Sequence, residues 1–111
     1  MWDEAGQLTD WLGDIPVEVQ LLKLSEEVGE VAEAYIGLTG HNPRKGVTHT
    51  RDDLTGEVAD VIITAAVSIV RLTGSPAAAR AAFEAHLAGV LTRAGLDAAP
   101  EPGCSPAASP R

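Results

Sequence analysis

Val58-Ala59-Asp60-Val61-Ile62-Ile63-Thr64-Ala65-Ala66-Val67-Ser68-Ile69-Val70 is apolar on nearly every side and carries one charge, at Asp60. Its β-branched residues would suit a buried strand, but strands are typically about 5–6 residues, less than half this run. The run reads as the body of a helix capped at Thr50 or Asp52 and reaching about Leu72, ahead of the breaker Thr73-Gly74-Ser75-Pro76. A helix apolar all round is expected to be surrounded by protein. That expectation makes Asp60 the residue to explain, because an unpaired carboxylate among aliphatic neighbours costs several kcal/mol.

Working outward, a second helix is expected from about Pro16 to Leu38, where Leu21, Leu24, Val28, Val31, Tyr35 and Leu38 step by three and four. Gly40 closes it, and Gly40 to Thr50 reads as a turn-rich loop containing Asn42-Pro43 and Lys45-Gly46. A short amphipathic helix is expected from about Asp3 to Leu12, ended by Gly13. Asp14-Ile15-Pro16 then reads as the entry to the second helix. Pro76 to Ala94 reads as a fourth, alanine-rich helix with Phe83, Leu87, Val90 and Leu91 along one side. The expected fold is all-α, a four-helix bundle-like domain over residues 1–95, followed by an unstructured proline- and alanine-rich tail over 96–111.

Composition agrees with that class. The chain has 111 residues, room for one core, and only 4% aromatics, so the core must be aliphatic and alanine-rich. A helical chain of this size often gains stability by associating with itself. The net charge of −8 argues against a nucleic-acid-binding module, which needs a basic stripe. It leaves room for a phosphorylated small molecule, because bound cations reverse the local field. Cys104 stands alone and can form no internal disulfide. MWDEAGQL has neither a basic nor an apolar leader segment, and the most apolar run is too short to span a bilayer. No membrane association and a cytoplasmic location are therefore expected.

Two acidic motifs carry the chemistry. Ser25-Glu26-Glu27-Val28-Gly29-Glu30 lies on the second helix and Glu57-Val58-Ala59-Asp60 on the third. Residues three apart on a helix share a face, so Glu27/Glu30 and Glu57/Asp60 form two carboxylate pairs. If the helices pack side by side, four carboxylates converge, an arrangement that demands cations. Magnesium suits an all-oxygen donor set and keeps open positions for phosphate oxygens. Neither motif contains histidine or cysteine, which argues against zinc and against diiron bundles. A Glu-rich helix face alone is usually just solvated; it is Asp60, and the place of Glu27 and Glu30 at the edge of the apolar stripe, that favour a metal site. Glu26 and Glu33 project more outward. Gly29 and Gly56, each beside a carboxylate pair, are candidate points of close backbone approach.

Lys-Leu-Ser-Glu-Glu-Val-Gly-Glu-Val-Ala-Glu-Ala (23–34) followed by Asp-Leu-Thr-Gly-Glu-Val-Ala-Asp-Val-Ile-Ile-Thr (53–64) resembles the all-α nucleotide pyrophosphohydrolases, and among them the MazG-like proteins, over roughly Gln20 to Gly74. The resemblance implies magnesium-dependent hydrolysis of a nucleoside triphosphate to the monophosphate and pyrophosphate, with manganese a possible substitute. It implies Glu27, Glu30, Glu57 and Asp60 as metal ligands, and Glu26 with Glu27 as catalytic residues in water activation. It also implies a homodimer or homotetramer, and nucleotide-pool housekeeping as the role.

Lys23, one turn before Glu27, is a candidate phosphate-binding residue, against the plain alternative of an intrahelical pair with Glu27. Arg44 and Lys45, the densest basic pair, are candidates to close over the triphosphate. His41 and His49 read as surface residues, Trp11 as a core anchor and Tyr35 as part of the core stripe. Two other functions stay open: hydrolysis of phosphoribosyl-ATP, as in a related branch, and a non-catalytic helical bundle that binds a nucleotide or a protein.

Overall fold

Three glycines punctuate the chain. In the computed structural model, which describes residues 1–96, they close the first three of four helices: α1 (Trp2–Leu12) at Gly13, α2 (Val17–Thr39) at Gly40, and α3 (Arg51–Thr73) at Gly74, with α4 (Pro76–Arg93) following. Gly40 and Gly74 are left-handed, at φ 71° and 93°, a conformation that glycine adopts without the steric penalty of a Cβ. The all-α fold expected from the sequence is the one observed. The proline- and alanine-rich tail and Cys104 lie outside the described residues.

Between Thr50 and Asp53 the cap of α3 is a reciprocal pair. The Asp53 amide donates to Thr50 Oγ1 at 3.1 Å, and the Thr50 amide donates to Asp53 Oδ2 at 2.9 Å. Asp52 and Asp53 in the first turn and Arg71 in the last complement the helix dipole. Ser75 caps α4 through the Ala78 amide at 3.1 Å, with Pro76 at the first helical position, where no amide is needed. Asp14 makes no such cap; α2 begins directly after Pro16.

The central element is α3. It packs against each of the other helices, α1 also packs on α4, and α2 packs on α3 alone. After Gly74 the chain turns so that α4 leaves α3 at 110°. The core gathers at the C-terminal half of α3, where Ala66, Val67 and Val70 meet Trp2, Ala5 and Ala79, with Leu8 and Ile69 packed around them. Phe83 tilts onto Trp2 at 5.4 Å between ring centroids. Arg71 fastens the corner by donating to the carbonyls of Gly13 (3.1 Å), Thr9 and Ile15 (both 3.4 Å), between the end of α1 and the start of α2.

Four expectations are corrected. The α3 helix is not surrounded along its whole length: Val58, Ile62 and Ile63 are about half exposed. Only half of the expected stripe on α2 faces inward: Leu24, Val31 and Leu38 are half-buried beside Gln20, Glu27 and Ala34, whereas Leu21, Val28 and Tyr35 are exposed. Trp2, not Trp11, anchors the first helix; Trp11 is 80% exposed. Close approach occurs not at Gly29 or Gly56, where an added Cβ meets nothing, but at Gly37 and at Gly6, where it would lie 2.6 Å from Pro76 Cγ.

At Gly37 the Gly40–Thr50 loop folds back onto α2. The Thr48 amide donates to the Gly37 carbonyl at 2.9 Å, and a Cβ at Gly37 would collide with His49 Nδ1 and lie 2.6 Å from Thr48 Oγ1. Two glycines in one helix therefore predict opposite outcomes in thermal unfolding. Gly29→Ala is expected to stabilise by roughly 0.5–1 kcal/mol through helix propensity, and Gly37→Ala to destabilise by about 1–3 kcal/mol through displacement of the loop.

Candidate metal centre

The helical repeat carries the local argument. Glu27 and Glu30 stand one turn apart on α2, and Glu57 and Asp60 one turn apart on α3. The α2–α3 contact brings the two pairs together. Glu27, Glu57 and Asp60 each offer an oxygen within 4.8 Å of the others. Glu30 stands within hydrogen-bonding reach of both Glu27 and Glu57, a contact between carboxylates that requires either a shared proton or a cation. The fold thus brings Glu27, Glu57 and Asp60 together, with Glu30 beside the two glutamates.

The glutamates do not sit at the edge of the packed face of α2, as the stripe suggested, but near its middle. The Glu27 side chain is 13% exposed, and Glu57 Oε2 is buried with no hydrogen-bond partner among the described residues. Burial, followed by the charge of Glu30, raises the pKa of Glu27 above the usual carboxylate value; the same two causes raise that of Glu57. Asp60, by contrast, is exposed at the mouth. The orphaned oxygen and the all-oxygen donor set fit a hard divalent cation such as magnesium.

The candidate catalytic and substrate residues are distributed less evenly. Lys23 Nζ pairs with Glu26 Oε1 at 3.4 Å and reaches Glu27 Oε1 at 3.9 Å, so the intrahelical pair is present beside the carboxylates. Glu26 is exposed and turned to Lys23 rather than into the cluster. Lys45 lines a neighbouring cleft of about 600 Å³ with Gly29, Glu33, Gly37, Asn42 and His49. Arg44 uses its backbone amide to bind Asn42 Oδ1 at 3.1 Å and is exposed.

His49 was missed. It is half-buried, contacts Gly37, bonds Thr48 Oγ1 at 2.8 Å and lines both the Lys45 cleft and the one that holds Glu57 and Asp60. Its proximity draws the pKa of Glu57 slightly back down. Its position immediately before the Thr50 cap, eight residues ahead of Glu57, is the signal that places it at the head of α3.

Gln20 was missed as well. It is 5% exposed and lines a cleft of about 480 Å³ between α1, α2 and α3, into which Lys23, Glu27 and Asp60 also open. A glutamine seven residues before Glu27 lies on the same helix face, which was the available clue.

No family model, curated protein or solved structure matches this chain.

Two measurements follow from the raised carboxyl groups. Their folded pKa values lie above the unfolded ones, so the folded chain holds protons that the unfolded chain has released. Metal-free stability should therefore rise as pH falls through those raised values, be fully gained below the ordinary value of 4.5, and be lost again as pH climbs. Glu57→Gln should flatten that slope in thermal unfolding from neutral pH down to 4.5. Asp53, lowered by its bonds to Thr50, and Glu4, lowered by its own backbone amide and by the N-terminal ammonium, act the opposite way at the acid end. At neutral pH magnesium should raise the wild-type melting temperature, by about 2.7 kcal/mol equivalent at a hundredfold excess over Kd. Asp60→Asn should abolish most of that gain.

Proposed function

We propose that this chain is a magnesium-dependent nucleoside triphosphate pyrophosphohydrolase of the MazG-like kind. It takes a ribo- or deoxyribonucleoside triphosphate and water to the monophosphate and pyrophosphate. The observation that carries the reading is the four-carboxylate cluster of Glu27, Glu30, Glu57 and Asp60, with its buried and unpartnered Glu57 oxygen. A cluster of this kind opposes folding unless a cation is the intended occupant, and the motifs that build it are those of the resemblance.

On this reading Glu27, Glu30, Glu57 and Asp60 hold magnesium, which when bound supplies the positive charge that lets water approach a triphosphate. The chain's own residues do the rest. Glu27 accepts the proton of the attacking water, and Glu26 supports it by holding Lys23 at the lip of the cleft. Lys23 receives negative charge on the phosphates. Arg44 and Lys45 act from the loop docked at Gly37, approaching the leaving pyrophosphate from the side of His49.

A second copy of the chain belongs to the proposal. Leu21, Val28 and Tyr35 on α2 and Ile62 on α3 are left at least 44% exposed, a burden a homodimer or homotetramer would remove.

The test is pyrophosphate release from a panel of nucleoside triphosphates and phosphoribosyl-ATP, with and without magnesium, alongside sizing in solution. Release that needs magnesium and falls by at least about 100-fold in Glu27→Gln is the expected result. A folded, magnesium-binding protein that cleaves nothing would sink the proposal.

A further inference from the structure

On the side of the carboxylate cluster away from Lys23, the fold supplies few groups that can face an anion. The cleft that holds Glu57 and Asp60, about 420 Å³, is lined by Asp52 and Asp53 as well. Among the described residues on its walls, His49 is the one basic side chain. The neighbouring cleft of about 600 Å³ carries Lys45, Asn42 and Glu33. Thr48 and His49 line both, so the imidazole borders the carboxylate cleft on one side and the Lys45 cleft on the other.

The ring is held by one nitrogen. Nδ1 bonds Thr48 Oγ1 at 2.8 Å, and it is Nδ1 that a Cβ at Gly37 would strike. When the hydroxyl donates to Nδ1, the ring proton sits on Nε2, which is then a hydrogen-bond donor. Docking the loop makes no demand on that second nitrogen. The Thr48 and His49 amides already donate to the Gly37 carbonyl, at 2.9 and 3.4 Å, and a smaller side chain would also rest against a glycine. What an imidazole adds is a donor at a fixed place, on a half-buried ring that borders two clefts.

The pyrophosphate half of a triphosphate presents several anionic oxygens. Those lying beside Asp52 and Asp53 need a donor to offset the acidic wall, and a hydrogen bond to a charged oxygen is among the stronger ones available. His49 is placed to supply it, with Lys45 further along in the next cleft.

We propose that His49 is a substrate-binding residue whose Nε2 donates to a phosphoryl oxygen of the pyrophosphate half, where the chain passes from the carboxylate cleft toward Lys45. The inference deepens the pyrophosphohydrolase reading and rests on it for the identity of the ligand. Its binding test does not depend on catalysis.

Two substitutions separate the two ring nitrogens. In His49→Asn the carboxamide takes the place of Nδ1 and keeps the Thr48 bond, with nothing at the position of Nε2. In His49→Gln it reaches the position of Nε2 and gives up that of Nδ1. Inorganic pyrophosphate, titrated calorimetrically into the full chain with magnesium, should bind the wild type. Binding should be at least about tenfold weaker in His49→Asn, and within about threefold of wild type in His49→Gln. The KM for triphosphate should follow the same order, with kcat moving less, because the contact is made before the chemical step and kept through it. A ring that only docked the loop predicts the reverse order, since His49→Asn preserves the docking bond and should melt like the wild type.

The reverse order, or pyrophosphate binding indifferent to both substitutions, refutes the contact; so does a wild type that binds no pyrophosphate. If pyrophosphate binds in the expected order while no triphosphate is cleaved, the contact stands and the pyrophosphohydrolase reading falls. If triphosphates are cleaved with magnesium and neither substitution changes KM, the contact falls and that reading stands.

Discussion

The packing of α2 on α3 places like charges where a helical pair would normally place leucines. Everything else in the molecule accommodates that seam. Glu27, Glu30 and Glu57 are half-buried along it, and Asp60 closes the group at its mouth. With no cation, the group can only lower its repulsion by holding protons, which is why burial and mutual charge push Glu27 and Glu57 upward. The carboxylates of this seam add little to stability, although the seam alone holds α2. The contacts of the main apolar core sit elsewhere.

They sit at the other end of α3. Ala66, Val67 and Val70 make the core with Trp2, Ala5 and Ala79, all small apart from the one indole. α1 and α4 both gather there, and toward the carboxylate end Val58, Ile62 and Ile63 are left about half exposed. Arg71 keeps the two ends in register by binding three carbonyls at the α1–α2 junction, which fixes where α2 begins and hence where Gln20 and Glu27 lie against α3. The loop after α2 does the same from the other side: Gly37 admits His49, and Thr50 starts α3 seven residues before Glu57. Site geometry is thus set by the two helix junctions more than by the seam itself.

Much of this was legible in the sequence because it depends on local rules. Helix ends follow Gly13, Gly40, Gly74, Thr50 and Ser75, each acting through its own backbone or cap bond. The pairing of Glu27 with Glu30 and of Glu57 with Asp60 follows from a spacing of three. What failed was half of the stripe on α2, since Leu24, Val31 and Leu38 are half-buried as expected but the other three are not. Periodicity finds a stripe of apolar residues but does not say which stripe is buried within one chain, and here Leu21, Val28 and Tyr35 point outward while Gln20, Glu27 and Ala34 point in. His49 and Gln20 escaped for a related reason. Their surroundings come from other helices and from a loop fold-back at Gly37, and nothing in their immediate neighbours announces that.

The misread stripe is itself informative. On α2 the acidic residue Glu27 and the apolar residue Val28 are adjacent in sequence, so their faces lie about 100° apart round the helix axis. One face has to remain approachable, since a cation or an anionic ligand must reach Asp60 and Glu27. The other has to be covered, since Leu21, Val28 and Tyr35 gain nothing from water. A helix inside a closed single-chain bundle would have both faces enclosed. A helix that packs on one neighbour along its acidic face, and is free on its apolar face, meets both demands once a second surface covers the apolar side. The same reasoning applies to α3, whose exposed Ile62 follows Asp60 by two residues and so lies on a different face of the helix. The apolar run that first identified α3 is therefore best understood as serving two contacts: Ala66, Val67 and Val70 toward this chain's own core, and Val58, Ile62 and Ile63 toward the surface that the proposed second copy would cover.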